Sequence, residues 1–174
     1  MSRFLSITNQ TARRLPRGAR QLMQGAGRAA LELASDLAPD RIRVDVTVVS
    51  DAELRELSRR YLGADHYTDV MSFSQLDPAS GVATKTTHGG GPRRLLLGDV
   101  VISLERAADN AAELGHSTAV ELALLAAHGV LHLLGQQDAD PEGQARMRRL
   151  ERLALEAAGV AAGDLPAPFG GACV

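Results

Sequence analysis

The feature that most constrains this chain is the apolar stretch at residues 122–135, which carries two histidines four positions apart. Four residues of an α-helix turn through about 400°, so His128 and His132 project from the same face, one turn apart. Burying both imidazoles among leucines leaves four ring nitrogens that need partners, and a metal ion would satisfy two of them. The pattern therefore predicts a core helix that carries a metal site.

A third candidate ligand follows this helix. Gly135 can adopt the left-handed backbone conformation that ends a helix, so the chain can turn back toward the histidines. Asp138 comes three residues later and can approach the same point, whereas the spacing of Asp140 fits less well. Two imidazoles and one carboxylate with an open fourth position are how catalytic zinc is held. We expect one zinc ion per chain, with other divalent metals possible because a carboxylate is a hard oxygen ligand.

The same spacing also resembles the long zinc-binding signature of metzincin proteases. Those enzymes place a glutamate directly after the first histidine, where it acts as the general base. Gly129 occupies that position here and has no side chain to move a proton. Water activated by a metal still allows hydrolysis. The pattern therefore favours a hydrolase and makes a metalloprotease the weaker alternative.

Hydrophobic periodicity predicts an α+β fold, a small mixed four-stranded sheet packed with about five helices. The elements interleave without a strict strand–helix–strand repeat. Strands are expected at residues 4–8, 41–50, 68–73 and 95–103, and helices at 17–37, 51–61, 104–114, from 117 or 118 through the histidines, and 140–158. We expect Asp51 to cap the second helix and Gly98 to mark a bulge or a close approach.

One domain is expected over residues 1–158, followed by a loosely ordered tail at 159–174, and residues 77–94 are expected to form a mobile surface loop. The net charge of −2 gives no general electrostatic affinity for nucleic acid, although residues 1–50 carry eight arginines against four acidic residues. A single cysteine excludes a disulfide within the chain. The first residues are too polar for a signal peptide, and the apolar stretch is too short to span a bilayer. We expect a soluble cytoplasmic protein without a membrane partner.

Three sequence blocks together resemble the YbeY-type endoribonucleases, also called rRNA maturation factors. The sequence that starts at residue 128 is similar to the family pattern His-Gly-x-Leu-His-Leu-x-Gly-Tyr-Asp-His. Residues 68–73 are similar to the family strand Thr-Asp-Val-Leu-Ser-Phe. Residues 97–103 are similar to the family strand Leu-Gly-Asp-Ile-x-Ile-Ser. The resemblance covers about residues 41–156, and three blocks in order are more specific than one zinc motif. It implies an α+β fold, zinc in a cleft and hydrolysis of single-stranded RNA. It also implies a role in 16S rRNA 3′-end maturation and ribosome quality control on the small ribosomal subunit.

Two departures from the family pattern matter for function. Asp138 stands where the family has the third histidine ligand, and Leu62 stands where it has an arginine thought to face the cleft. Carboxylate oxygen still binds zinc at about 2.0–2.2 Å. Arg60 is the candidate replacement for the arginine, and no general base is assigned. The candidate RNA contacts are Arg59, Arg60, Arg93 and Arg94. The two departures leave open an alternative function, a ribosome-associated binding factor with weak or no catalysis.

Overall fold

The computed structural model describes residues 4–63, 65, 67–76 and 94–166 of this 174-residue chain. In these ranges, four strands and five α-helices interleave, which confirms the predicted α+β class. Their bounds are β1 (Leu5–Asn9), α1 (Ala19–Ala34), β2 (Ile42–Val49), α2 (Asp51–Leu62), β3 (Val70–Ser74), β4 (Leu95–Ser103), α3 (Leu104–Leu114), α4 (Thr118–Leu133) and α5 (Pro141–Ala157). A short 3₁₀ turn follows at Ala162–Asp164.

The four strands form one mixed sheet in the order β1-β2-β4-β3. The first three strands are parallel, and β3 pairs antiparallel with β4 at one edge. In β2, Ile42, Val44, Val46 and Val48 alternate with partly exposed residues and enter the main hydrophobic core. This period of two buries one face of the strand, which is why the sheet carries a helix layer on that side.

The helices divide between the two faces of the sheet. The histidine-bearing helix α4 packs against β3, β4, α1, α3 and α5, and its residues 119–131 are all buried. The opposite face carries α2, which closes a smaller cluster around Val49, Leu54, Met71 and Val101. The apolar run therefore forms a central helix surrounded by protein, as its composition predicts.

Two glycines allow close packing near the histidines. In the pairing of β2 with β4, Arg43 lies opposite Leu96 but the next residue, Val44, lies opposite Gly98. This shift in register is a bulge at the predicted position. A Cβ on Gly98 would lie 2.5 Å from Leu133 Cδ2 and 2.5 Å from the Phe73 carbonyl oxygen. A Cβ on Gly129 would lie 2.5 Å from Val100 Cγ1. Both positions bring backbone into contacts that a larger residue would block.

The beginning of α2 differs from the prediction by one residue, because Ser50 rather than Asp51 is the N-cap. The Ser50 hydroxyl accepts a hydrogen bond from the Glu53 backbone N–H, and the Glu53 carboxylate accepts one from the Ser50 backbone N–H at 2.9 Å. This reciprocal pair is a capping box. Asp51 is instead the first helical residue, and its carboxylate accepts a hydrogen bond from Arg106 Nε at 3.0 Å.

Helix α1 is shorter than predicted, because Gly18 has a left-handed φ of 80° and Ser35 is extended. At the other end of the chain, Val160 is buried and Leu165 packs against the main core, although both lie in the segment expected to be a tail. Residues 77–93 of the predicted loop lie outside the described residues.

A polar cluster around the buried Glu121 fixes the turn between α3 and α4. His116 Nε2 lies 2.6 Å from Glu121 Oε2, and Asn110 Nδ2 donates to both Glu121 Oε1 and Asp69 Oδ2. Burial raises the pKa of Glu121 above its usual range. The cluster ties the first turn of α4 to α3 and to the residue before β3, so it anchors the end of α4 remote from the histidines.

Among the described residues, no single helix is both long and apolar enough to cross a membrane. By length and composition alone, α3 and α4 meet that test together as a pair bent by 114°.

Candidate metal centre

The two histidines near the end of α4 face each other. His128 Nε2 and His132 Nε2 are 2.9 Å apart, and the ring planes are nearly perpendicular at 81°. His128 is 8% exposed, whereas His132 is partly exposed. The pair therefore lies where a buried helix reaches the surface.

The turn after α4 brings Asp138 to the same place. Helix α4 ends at Leu133, and Gly135 reverses the chain with a φ of 85°. Asp138 Oδ2 lies 3.7 Å from His132 Nε2, and the ligand atoms of His128, His132 and Asp138 all lie within 4.8 Å of one another. Ligand atoms bound tetrahedrally to one metal ion at about 2.0–2.2 Å lie about 3.3–3.6 Å apart, which is close to the 3.7 Å between Asp138 Oδ2 and His132 Nε2. The structure thus brings the three predicted ligands together.

Asp140, the weaker candidate from the sequence, has a different role. Its Oδ1 accepts a hydrogen bond from the backbone N–H of Gly143 at 2.7 Å, and it is the N-cap of α5. A cap of this kind satisfies an otherwise unpaired N–H in the first turn of the helix. Asp140 therefore supports the helix behind the site.

Hydrogen bonds on the far side of each ring fix where the imidazole protons lie. His128 Nδ1 is 2.5 Å from Glu151 Oε1, and His132 Nδ1 is 2.9 Å from the carbonyl oxygen of Gln136. A carboxylate and a carbonyl accept hydrogen bonds, so each Nδ1 carries the proton. In a neutral imidazole, Nε2 then carries a lone pair. Both lone pairs point into the 2.9 Å gap between the rings, where they repel unless a cation lies between them.

A proton is a poor candidate for that cation near neutral pH. Burial and the neighbouring His128 imidazole hold the pKa of His132 below its usual range, although Asp138 acts in the opposite direction. A divalent metal ion fits better, since it can accept both imidazole lone pairs and one carboxylate oxygen together. The donor set and its protonation therefore fit the predicted metal site.

Sequence reasoning missed the groups that orient the two rings. Glu151 on α5 and the carbonyl of Gln136 are the hydrogen-bond partners described above. Glu151 lies on a buried face of α5 with Met147, Ala154 and Leu155. A carboxylate in an apolar stripe is rarely buried without a partner, and this is the signal that could have found it.

The candidate RNA contacts lie elsewhere. Arg59 and Arg60 are exposed on α2, in a different layer from the three candidate ligands, and Arg59 Nε lies 3.3 Å from Asp65. Arg93 lies outside the described residues. Arg94 is only 7% exposed, which does not favour direct contact with RNA. Leu62, at the end of α2, is 60% exposed.

Comparisons with known proteins show the family that this chain resembles. A family model described as endoribonuclease YbeY matches residues 6–159. Endoribonuclease YbeY of Symbiobacterium thermophilum is 43% identical over 127 residues, which cover 73% of this chain and 78% of the relative. The Moorella thermoacetica relative, with the same description, is 41% identical over 117 residues, or 67% and 73% of the two chains. A solution structure of a Thermotoga maritima protein has a similar fold, with a TM-score of 0.53, 21% identity and 88% coverage of both chains.

Proposed function

The chain belongs to the endoribonuclease YbeY family, and we propose that it is a zinc-dependent nuclease that hydrolyses single-stranded RNA. We propose further that it acts on 16S rRNA, in 3′-end maturation and ribosome quality control, with the small ribosomal subunit as its partner. Such a substrate would place the activity in the cytoplasm. The observation that most supports the proposal is the convergence of His128, His132 and Asp138.

These three side chains would hold one zinc ion and leave a coordination position open. When bound, zinc there supplies a Lewis acid that lowers the pKa of water toward about 7 and offsets negative charge developing on the phosphate. The chain contributes two imidazoles whose Nε2 atoms are kept free of protons by the partners of Nδ1. The carboxylate of Asp138 adds a negative charge that the family's histidine would not bring, so the metal becomes a weaker acid.

Phosphate binding is proposed for exposed arginines outside the metal centre. Arg59 and Arg60 are both solvent-exposed, and a guanidinium can contact a phosphate through two parallel hydrogen bonds. Arg60 also remains the proposed replacement for the family's cleft arginine. Arg93 stays a proposed contact on the sequence alone, and the burial of Arg94 supports a structural role for that side chain.

One observation favours a second function, a ribosome-associated binding factor with weak or no catalysis. Leu62 is 60% exposed at a position where the family carries a cationic side chain, so this surface offers an apolar contact in place of a phosphate contact.

A metalloprotease is disfavoured by packing as well as by sequence. Gly129 lies too close to Val100 to be replaced by the glutamate that such enzymes use.

An RNA cleavage assay on the zinc-loaded full chain tests the proposal. We expect the wild type to cut single-stranded RNA and His132→Ala to lose that activity. The matched control is Glu156→Gln, which changes an exposed glutamate of α5 that pairs with Arg152, and it should cleave like the wild type. Equal cleavage by His132→Ala would refute the assigned site. A wild type that binds small ribosomal subunits but cleaves nothing with any divalent metal would establish the binding-factor alternative.

A further inference from the structure

We infer that Glu151 is a positioning residue that keeps His128 in the form able to bind a metal, so that helix α5 sets the metal affinity of ligands carried by α4. This inference rests on the metal site of the proposed function. Glu151 is not one of the three candidate ligands, and it acts through one hydrogen bond between two helices.

The contact between Glu151 and His128 is short and enclosed. Glu151 Oε1 lies 2.5 Å from His128 Nδ1, and the two residues are 23 positions apart in the sequence. Glu151 is 6% exposed, and within the described residues His128 is its one ion-pair partner. A carboxylate in such surroundings is strongly driven to keep the proton donor that satisfies it. The imidazole of His128 is therefore held with its proton on Nδ1.

Glu151 prevents a second state, in which the two histidines are hydrogen-bonded to each other through their Nε2 atoms. If the proton of His128 moved to Nε2, that atom could donate to His132 Nε2, which is 2.9 Å away and carries a lone pair. The two histidines would then satisfy each other, and the metal position would be closed by an internal hydrogen bond. Because Glu151 is an acceptor on the opposite side of the ring, it makes this arrangement unfavourable. Groups of this kind are worth about 10- to 100-fold in metal affinity.

Two substitutions separate the role of the acceptor from that of the charge. Glu151→Leu removes the hydrogen-bond acceptor and fills the same buried position with an apolar side chain of similar size. Glu151→Gln keeps an oxygen that can accept a hydrogen bond from the Nδ1–H group but removes the charge. Glu156→Leu on the same helix is the matched control, because Glu156 is exposed and, among the described residues, its side chain bonds only to Arg152.

Zinc affinity of the full chain, measured by competition with a chelator, is the first readout. We expect Glu151→Leu to bind zinc about 10- to 100-fold more weakly than the wild type. Glu151→Gln should recover most of that loss, and Glu156→Leu should match the wild type. A Glu151→Leu protein that binds zinc as tightly as the wild type would overturn the inference, as would a Gln variant no better than the Leu variant.

Nitrogen-15 NMR of the histidine rings in metal-free protein is the second readout, and its wild-type measurement tests the inference even if a variant fails to fold. The wild type should show the proton of His128 on Nδ1, and Glu151→Leu should show it on Nε2. A wild type with the proton on Nε2 would refute the inference by itself. A wild type that binds zinc without cutting RNA would count against the proposed nuclease and leave the role of Glu151 intact.

Discussion

Replacing Gly98 by alanine is expected to destabilise the fold by about 2 kcal/mol, because there is no room for a methyl group at this point of β4. The new Cβ would lie 2.5 Å from the Phe73 carbonyl oxygen and 2.5 Å from Leu133 Cδ2. The Leu133 side chain can rotate, but the Phe73 carbonyl belongs to the backbone of the edge strand β3. Strand β3 must therefore move away from β4.

The size of this effect follows from the contacts that the movement strains. An ordinary contact begins at 3.4 Å, so β3 must shift by about 0.9 Å beside Gly98. The shift strains the hydrogen bond from Gln75 N to Leu97 O, now 3.0 Å, and such a bond contributes about 0.5–1.5 kcal/mol. Overpacking adds about 1–3 kcal/mol, and the lower chain entropy of alanine returns about 0.5–1 kcal/mol. The balance is a loss near 2 kcal/mol.

Urea unfolding followed by circular dichroism measures this loss, and a thermal scan should show Tm lower by about 4–8 °C. Gly163→Ala is the control, since no neighbouring atom lies within 4 Å of its new Cβ. A Gly98→Ala protein as stable as the wild type, or more stable, would refute the close approach of β3, β4 and α4.

Three further predictions concern the helix caps and the support of the third ligand. Asp140→Ala should cost about 1 kcal/mol in urea unfolding, because α5 loses its N-cap, and an unchanged midpoint would contradict this. Ser50→Ala should cost a similar amount at pH 7. The Ser50 backbone N–H and, after it, the Ser50 hydroxyl lower the pKa of Glu53, and the variant loses only the hydroxyl bond. The stabilisation from that bond is present above the ordinary value of 4.5 and is lost as the pH falls through the lowered value. The difference in the free energy of unfolding between Ser50→Ala and the wild type should therefore become smaller in acid. A difference that becomes larger in acid would contradict this direction. Gly143→Ala places a methyl group against the carbonyl of Gln137, the residue before the candidate ligand Asp138. The variant should bind zinc more weakly than the wild type in chelator competition. Unchanged zinc affinity would show that α5 does not hold the turn that carries Asp138.

The convergence of the three candidate ligands could be predicted from the sequence because their arrangement is local. The spacing of His128 and His132 fixes their common face on any α-helix, and Gly135 with a short turn brings Asp138 back. The partner of His128 could not be identified in the same way. Glu151 reaches it only because α5 docks on α4, and an amphipathic stripe shows which face is buried without showing what it meets.

The remaining differences from prediction also have physical causes. Serine and aspartate are both good N-caps, so Ser50 and Asp51 compete, and the glutamate three residues after Ser50 was the signal that distinguishes them. Arginine is ordinarily exposed, and the burial of Arg94 depends on tertiary packing that no local pattern describes.

Diffraction from crystals of the zinc-loaded full chain, recorded at the zinc absorption edge, tests the metal site most directly. We predict one anomalous peak per chain bonded to Nε2 of both His128 and His132 at about 2.0–2.1 Å and to a carboxylate oxygen of Asp138 at about 2.0–2.2 Å. No peak between the two rings, with Asp138 turned to solvent, would contradict the central claim.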